Sequence, residues 1–211
     1  PENAEGAPFR QGRIALLRSR IRPFLIRRTK ELVAPELPER QEQVVRIELG
    51  PTHRLRYDTV LQRERQKILG LLEDLDRSRF IVFRSLTMLR MLSLAPGLID
   101  PDDAGIASRK IEELTERLLE LRAEGHRALV FSQFTSFLTL VAERLRRAGL
   151  KVSYLDGSTR QRDRVVQEFR EGDNDVFLLS LKAGGTGLTL TEADYVFLLD
   201  PWWNPAAEAQ A

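Results

Sequence analysis

The sequence predicts an α/β protein: a parallel β-sheet with helices on both faces, preceded by a helical insertion and an N-terminal basic helical segment. Three observations predict it. Ala128–Phe131 and Val152–Leu155 read as a buried strand and the next strand, and Phe177–Ser180 and Tyr195–Leu199 are short, continuous apolar runs, the pattern of strands buried on both faces of a sheet. Stretches with apolar residues at helical spacing separate the first three runs, and such alternation implies parallel strands joined by right-handed crossovers. Each run empties into a polar or glycine-rich loop, and ligands of parallel sheets bind outside the carboxyl ends of the strands.

Taken in order, residues 1–8 read as a disordered start and 9–34 as helix interrupted at Pro23. Pro35 and Pro38 break helical structure and mark a linker, which places a domain boundary near Leu37 to Gln41. Gln43–Leu49 alternates Val44, Arg46 and Glu48 against Val45, Ile47 and Leu49, the pattern of an edge strand. Residues 52–77 and 79–95 read as two helices. Leu55, Leu61, Ile68, Leu72 and Leu75 mark the first; Phe83, Leu86, Leu89 and Leu92 mark the second, which Pro96-Gly97 stops. From Ile111 the period changes. Ile111, Leu114, Leu118 and Leu121 define a helix closing near Gly125, and Phe137–Ala148 a helix stopped at Gly149. Ser158 and Gln161 have the spacing of a capping box, opening a helix that buries Val165, Val166 and Phe169 and ends at Gly172. Three segments follow from this order: 1–40, 41–110 and 111–211.

Composition narrows the function classes. With 42% hydrophobic residues, the 211-residue chain can build a real core. There is no cysteine and there are two histidines, which excludes disulfides and the common zinc arrangements and fits a reducing compartment. No apolar run approaches a membrane span and no signal peptide opens the sequence, so a soluble intracellular protein with no membrane partner is expected. The net charge of +2 conceals an asymmetry: residues 1–110 hold 21 Lys+Arg against 15 Asp+Glu, and residues 111–211 hold 12 against 16. Phe9 to Lys30 contains eight basic residues and no acid, a run suited to nucleic-acid phosphates or to the solvated face of a helix.

The densest chemistry lies in FLLSLKAGGTGLTLTEADYVFLLDPWWNP, residues 177–205. Gly184, Gly185 and Gly187 fall within four residues beside Lys182. Glycines let consecutive backbone N–H groups form an anion-binding concavity next to that cation; they also serve a plain crossover loop that needs them only for its turns. The loop is neither standard phosphate fingerprint, for no Lys-Ser or Lys-Thr follows the glycines and GTGLTL lacks the third glycine of a dinucleotide fold. Asp156 and Asp200 also suit turn initiation, Arg164 a structural ion pair and Trp202 a packing position.

SLKAGGTGLTLTEADYVFLLDPWWNPAAEAQA resembles motif V and the segment after it in the SWI/SNF-type family of ATP-dependent double-stranded DNA translocases, within helicase superfamily two. ALVFSQFTSFL resembles the family's motif IV and LDGSTRQRDR its neighbour. RIRPFLIRRTKELVAPELPERQE resembles the junction between the two motor lobes, and SLTMLRMLSLAPGLID the end of a helical elaboration, so the likeness covers residues 20–211. It implies a RecA-like C-terminal motor lobe, with residues 1–40 closing the first lobe and 41–110 elaborating the second. It also implies roles. Ser132, Gln133, Lys182, Gly184, Gly185, Thr186, Trp203 and Asn204 resemble contacts to DNA, while Gly187 and Thr189 fall where the loop turns toward nucleotide. Thr186 stands where the family commonly has leucine and Thr189 where it has asparagine.

The resemblance implies double-stranded DNA and an N-terminal RecA-like lobe of the same chain as partners, with a protein cargo such as RNA polymerase or another DNA-bound protein, and chromatin or transcription remodelling as the setting. ATP and Mg2+ are the implied cofactors, held mainly by that other lobe. The sequence contains no GxxxxGK[ST], no Asp-Glu-x-His motif and no arginine-bearing motif VI, so no catalytic or metal-ligating residue is expected in it and no ATPase activity from it alone. Two other readings share these motifs: a scaffold lobe that binds nucleic acid without turnover, and an RNA helicase lobe. Arginine outnumbers lysine 28 to 5, which points to a GC-rich, bacterial genome and a cytoplasmic nucleoid setting; a eukaryotic source would make it nuclear.

Overall fold

A computed structural model describes residues 7–24, 41–70, 75–184 and 188–201, with the side chains of 7–11 and 75–78 left aside. The chain divides into two compact units, residues 1–45 and 46–211. The first contains α1 (Ala7–Ile21), continued by a 3-10 turn over Arg22–Phe24. Pro23 has no N–H to donate, and the regular helix ends two residues before it.

The second unit is built on four strands: β1 (Ala128–Ser132), β2 (Val152–Leu155), β3 (Val176–Ser180) and β4 (Tyr195–Leu198). All pairings are parallel and the order is β2-β3-β1-β4. The side chains of β1 and β3 alternate between two cores. Ala128, Val130, Val176 and Leu178 face α4 (Arg109–Ala123) and α5 (Thr135–Arg147), where Leu114, Leu118, Phe137, Leu138, Val141 and Leu145 are buried. Leu129, Phe131, Phe177 and Leu179 face α6 (Arg162–Glu171), which buries Val166 and Phe169. Both faces of the central strands are thus dry, which is why their sequences read as unbroken apolar runs. Gly125 and Gly149 end α4 and α5 with φ of 82° and 84°, a region that a side chain strains.

Ahead of the sheet, α2 (Pro51–Leu69) and α3 (Leu75–Leu94) form a hairpin around Val60, Leu89 and Leu92. His53 Nε2 lies 2.6 Å from Leu92 O, and Ser85 donates a 2.6 Å hydrogen bond to buried Glu64, which lowers that carboxyl's pKa. Among the described residues, no helix is long and apolar enough to cross a membrane.

Four expectations are corrected. Tyr195–Leu199 reads as a strand buried on both faces, but among the described residues β4 is the edge of the sheet, and Tyr195, Val196 and Leu198 are exposed. Gln43–Leu49 alternates like a strand but pairs with none; Val44 is 87% exposed, and alternation without a sheet edge to dock on leaves the backbone irregular. The first helix of the hairpin stops at Leu69, before Gly70, so Leu75 belongs to the second helix; Leu55, Phe83 and Leu86 lie on exposed faces, and Leu72 falls outside the described residues. The helix expected to open at Ser158 opens at Arg162, because Ser158 is already engaged: its N–H and hydroxyl both donate to Asp156 Oδ1, at 2.8 and 2.6 Å.

Candidate nucleic-acid interface

The strand order brings the carboxyl ends of β3, β1 and β4 side by side, so the loops that follow them share one edge of the sheet. Ser132, the last residue of β1, is fully buried, and its hydroxyl donates to Asp200 Oδ1 just beyond β4. The other carboxylate oxygen of Asp200 accepts from Gln133 N at 3.2 Å, and Ser132 Oγ accepts from Phe134 N at 3.1 Å. One buried carboxylate therefore clips the turn after β1 to the start of the segment after β4.

Two cations from earlier helices hold the same corner. Lys110 Nζ donates to Leu199 O at 2.8 Å; burial lowers its pKa, and the nearby charge of Asp200 opposes that shift. Arg90 of α3 donates to Pro201 O, and its guanidinium lies 5.7 Å from the centroid of the Phe134 ring. Gln133, in the turn that the clip shapes, is half-buried, and its Nε2 is buried with no hydrogen-bond partner among the described residues.

After β3 the chain makes one helical turn, α7 (Leu181–Gly184), which buries Leu181 and Ala183 and leaves Lys182 exposed. Gly184 is required by a close approach: a Cβ there would lie 2.4 Å from Phe131 Cε1. Its φ is not positive, so the conformational freedom expected of the first loop glycine is not what this position uses. Thr189 is exposed and its carbonyl accepts from Arg170 Nε at 3.1 Å. Gly185, Thr186, Gly187, Trp203 and Asn204, like Trp202, lie outside the described residues. After β2, Asp156 starts a turn, and bonds from Ser158 and Tyr154 hold its carboxyl below the ordinary value. Arg164 pairs with Glu168 on its own helix at 2.8 Å.

The structure thus brings Ser132 and Gln133 together with Asp200, and puts Lys182 after the neighbouring strand. Lys110, Arg90 and the joining role of Asp200 were not readable from short motifs, because the bonds span 89, 111 and 68 positions of sequence. The donor set does not fit magnesium: among the described residues no three His, Asp or Glu side chains are grouped to hold a metal, and the carboxylates of Asp156 and Asp200 are occupied by protein donors.

The family model for the helicase conserved C-terminal domain matches residues 109–211. The chain is 35% identical over 208 residues to the putative ATP-dependent helicase/translocase YwqA of Bacillus subtilis, which covers 94% of this chain and 22% of that protein. It is 32% identical over 211 residues to the transcription regulatory protein SNF2 of Saccharomyces cerevisiae, covering 90% of this chain and 12% of that one. The chain therefore spans less than a quarter of the length of either relative. Among solved structures, the C-terminal domain of the Sulfolobus solfataricus SWI2/SNF2 ATPase superposes with a TM-score of 0.66 at 25% identity, over 75% of this chain and 71% of that domain.

Proposed function

We propose, from the premise that the chain carries the C-terminal helicase lobe of the SNF2-type ATP-dependent helicases and translocases, that this lobe grips the backbone phosphates of double-stranded DNA along the carboxyl edge of its sheet. The observation that carries the reading is the Asp200 clip, which ties the Ser132 hydroxyl and the Gln133 backbone N–H to the start of the segment leading to Trp203 and Asn204. In this reading Lys182 contacts phosphate, Gln133 does so by turning its buried amide outward, the loop through Gly184, Gly185 and Thr186 follows the same strand, and Ser132 acts by shaping the turn rather than by touching DNA. Contacts of this kind give affinity and register without reading sequence, as movement along any duplex requires.

Gly187 and Thr189 are proposed to face ATP held chiefly by an N-terminal RecA-like lobe, which residues 1–40 would join to this one and residues 41–110 would elaborate. ATP turnover supplies the free energy for the two lobes to close and reopen on DNA. The chain's own part is to hold the strand and present the loop end to the cleft. With no phosphate loop, no magnesium ligands and no arginine pair, the 211-residue chain is expected to bind duplex DNA with affinity that falls as salt rises, and to hydrolyse no ATP. Fluorescence anisotropy with a labelled duplex, alongside a phosphate-release assay, checks both; salt-independent binding or turnover above a mock preparation contradicts the reading.

A further inference from the structure

We propose that Arg162 and Arg170 are positioning residues that set the two ends of the glycine loop separately, Arg162 the DNA-facing end and Arg170 the nucleotide-facing end. The inference rests on the function proposed above and extends it to two residues that belong to neither contact set. Both arginines project from α6, whose Val166 and Phe169 are buried in the core beneath the sheet. Arg162 Nη2 donates to the carbonyl of Ala183, and Arg170 donates through Nε, at 3.1 Å, and through Nη2 to the carbonyl of Thr189. Nε of Arg170 also lies 3.9 Å from Glu192 Oε1. One rigid helix therefore holds the loop by backbone oxygens on both sides of Gly185–Gly187.

The two attachments are spaced to act independently. Positions eight apart on a helix lie about 12 Å from each other along its axis and about 80° apart around it. At the first end the chain is pinned from a second side as well, since Ala183 N donates to Ser180 Oγ at 3.3 Å and Gly184 abuts the Phe131 ring. Lys182 is next to that end, so a shift of Ala183 moves the cation proposed to meet phosphate. Thr189 is itself the residue at the other end. The neighbouring Arg164 is a contrast on the same helix, because its bonds run to Glu168 and Gln161 and never reach the loop. A guanidinium suits the task because it keeps its charge and donates through a planar fork, whereas lysine offers a mobile point charge.

The test is steady-state DNA-stimulated ATP hydrolysis by the full-length protein, comparing parent, R162M, R170M, R162K and R170K, with thermal midpoints measured in parallel. R162M is expected to raise the half-saturating duplex concentration about fivefold and to move the KM for ATP less than about twofold, and R170M to do the reverse. The lysine variants, which keep the charge, are expected to show the same split at smaller amplitude. If each variant moves both constants together, or changes only the thermal midpoint, the two ends are not set separately and the proposal falls. K182A in the same assay separates the two levels of argument. If K182A raises the half-saturating DNA concentration and R162M does not, the clamp alone is wrong; if K182A leaves it unchanged, the reading of the loop as a DNA grip fails first.

Discussion

Replacing Asp200 with alanine is expected to lower the unfolding free energy of the 211-residue chain by roughly 3–5 kcal/mol, the range for removing one member of a buried, hydrogen-bonded charge arrangement. Asp200 is 4% exposed and serves three groups at once. Ser132 Oγ and Gln133 N lose their acceptor, and Lys110, already desolvated, loses the nearby negative charge that opposes its pKa shift. D200N retains one carbonyl oxygen and can satisfy one of the two donors, so it is expected to lose about half as much. Urea unfolding followed by circular dichroism reads both values. A D200A chain within about 0.5 kcal/mol of the parent, the size of an ordinary surface change, would show that the clip contributes nothing to stability.

K182A carries the second large effect, on binding. Lys182 is an exposed cation on the single turn that follows the central strand β3, and replacing it leaves the buried neighbours Leu181 and Ala183 in place. Duplex affinity is expected to fall about tenfold at moderate salt, equivalent to roughly 1.4 kcal/mol. Because a phosphate contact releases counterions, the slope of log affinity against log salt should also shrink in magnitude by about 1, by a similar amount on unrelated duplex sequences. An anisotropy titration across a salt series measures both quantities. An unchanged slope would mean that Lys182 meets no phosphate, whatever happens to affinity at one salt concentration.

What could be read from sequence divides along physical lines. The central strands are legible because Val130, Leu178 and their neighbours are buried on both sheet faces, which forces continuous apolar runs of strand length, whereas β4 carries such a run although Tyr195, Val196 and Leu198 are exposed. Helix ends at Gly125 and Gly149 were legible because positive φ is a demand on one residue. Gln43–Leu49 misled because alternation describes a surface with two unlike sides and says nothing about an available sheet edge. Ser158 misled because the same hydroxyl that suits a helix cap also suits a turn on Asp156, and the nearer acceptor won. At the site, Ser132, Gln133 and Lys182 were named through a long motif, whereas the bonds of Asp200, Lys110 and Arg90 join positions that only the folded sheet makes neighbours. At Gly184 the Phe131 ring, not an unusual backbone angle, requires glycine.

The central claim, that this lobe works as the second half of a duplex-DNA motor, is tested most directly by ATP hydrolysis of the full-length protein. The rate should be measured without nucleic acid and with duplex DNA, single-stranded DNA and RNA. Stimulation by duplex DNA well above that by single strands or RNA is the predicted result. No hydrolysis under any condition, or stimulation by RNA in preference to duplex DNA, would contradict it.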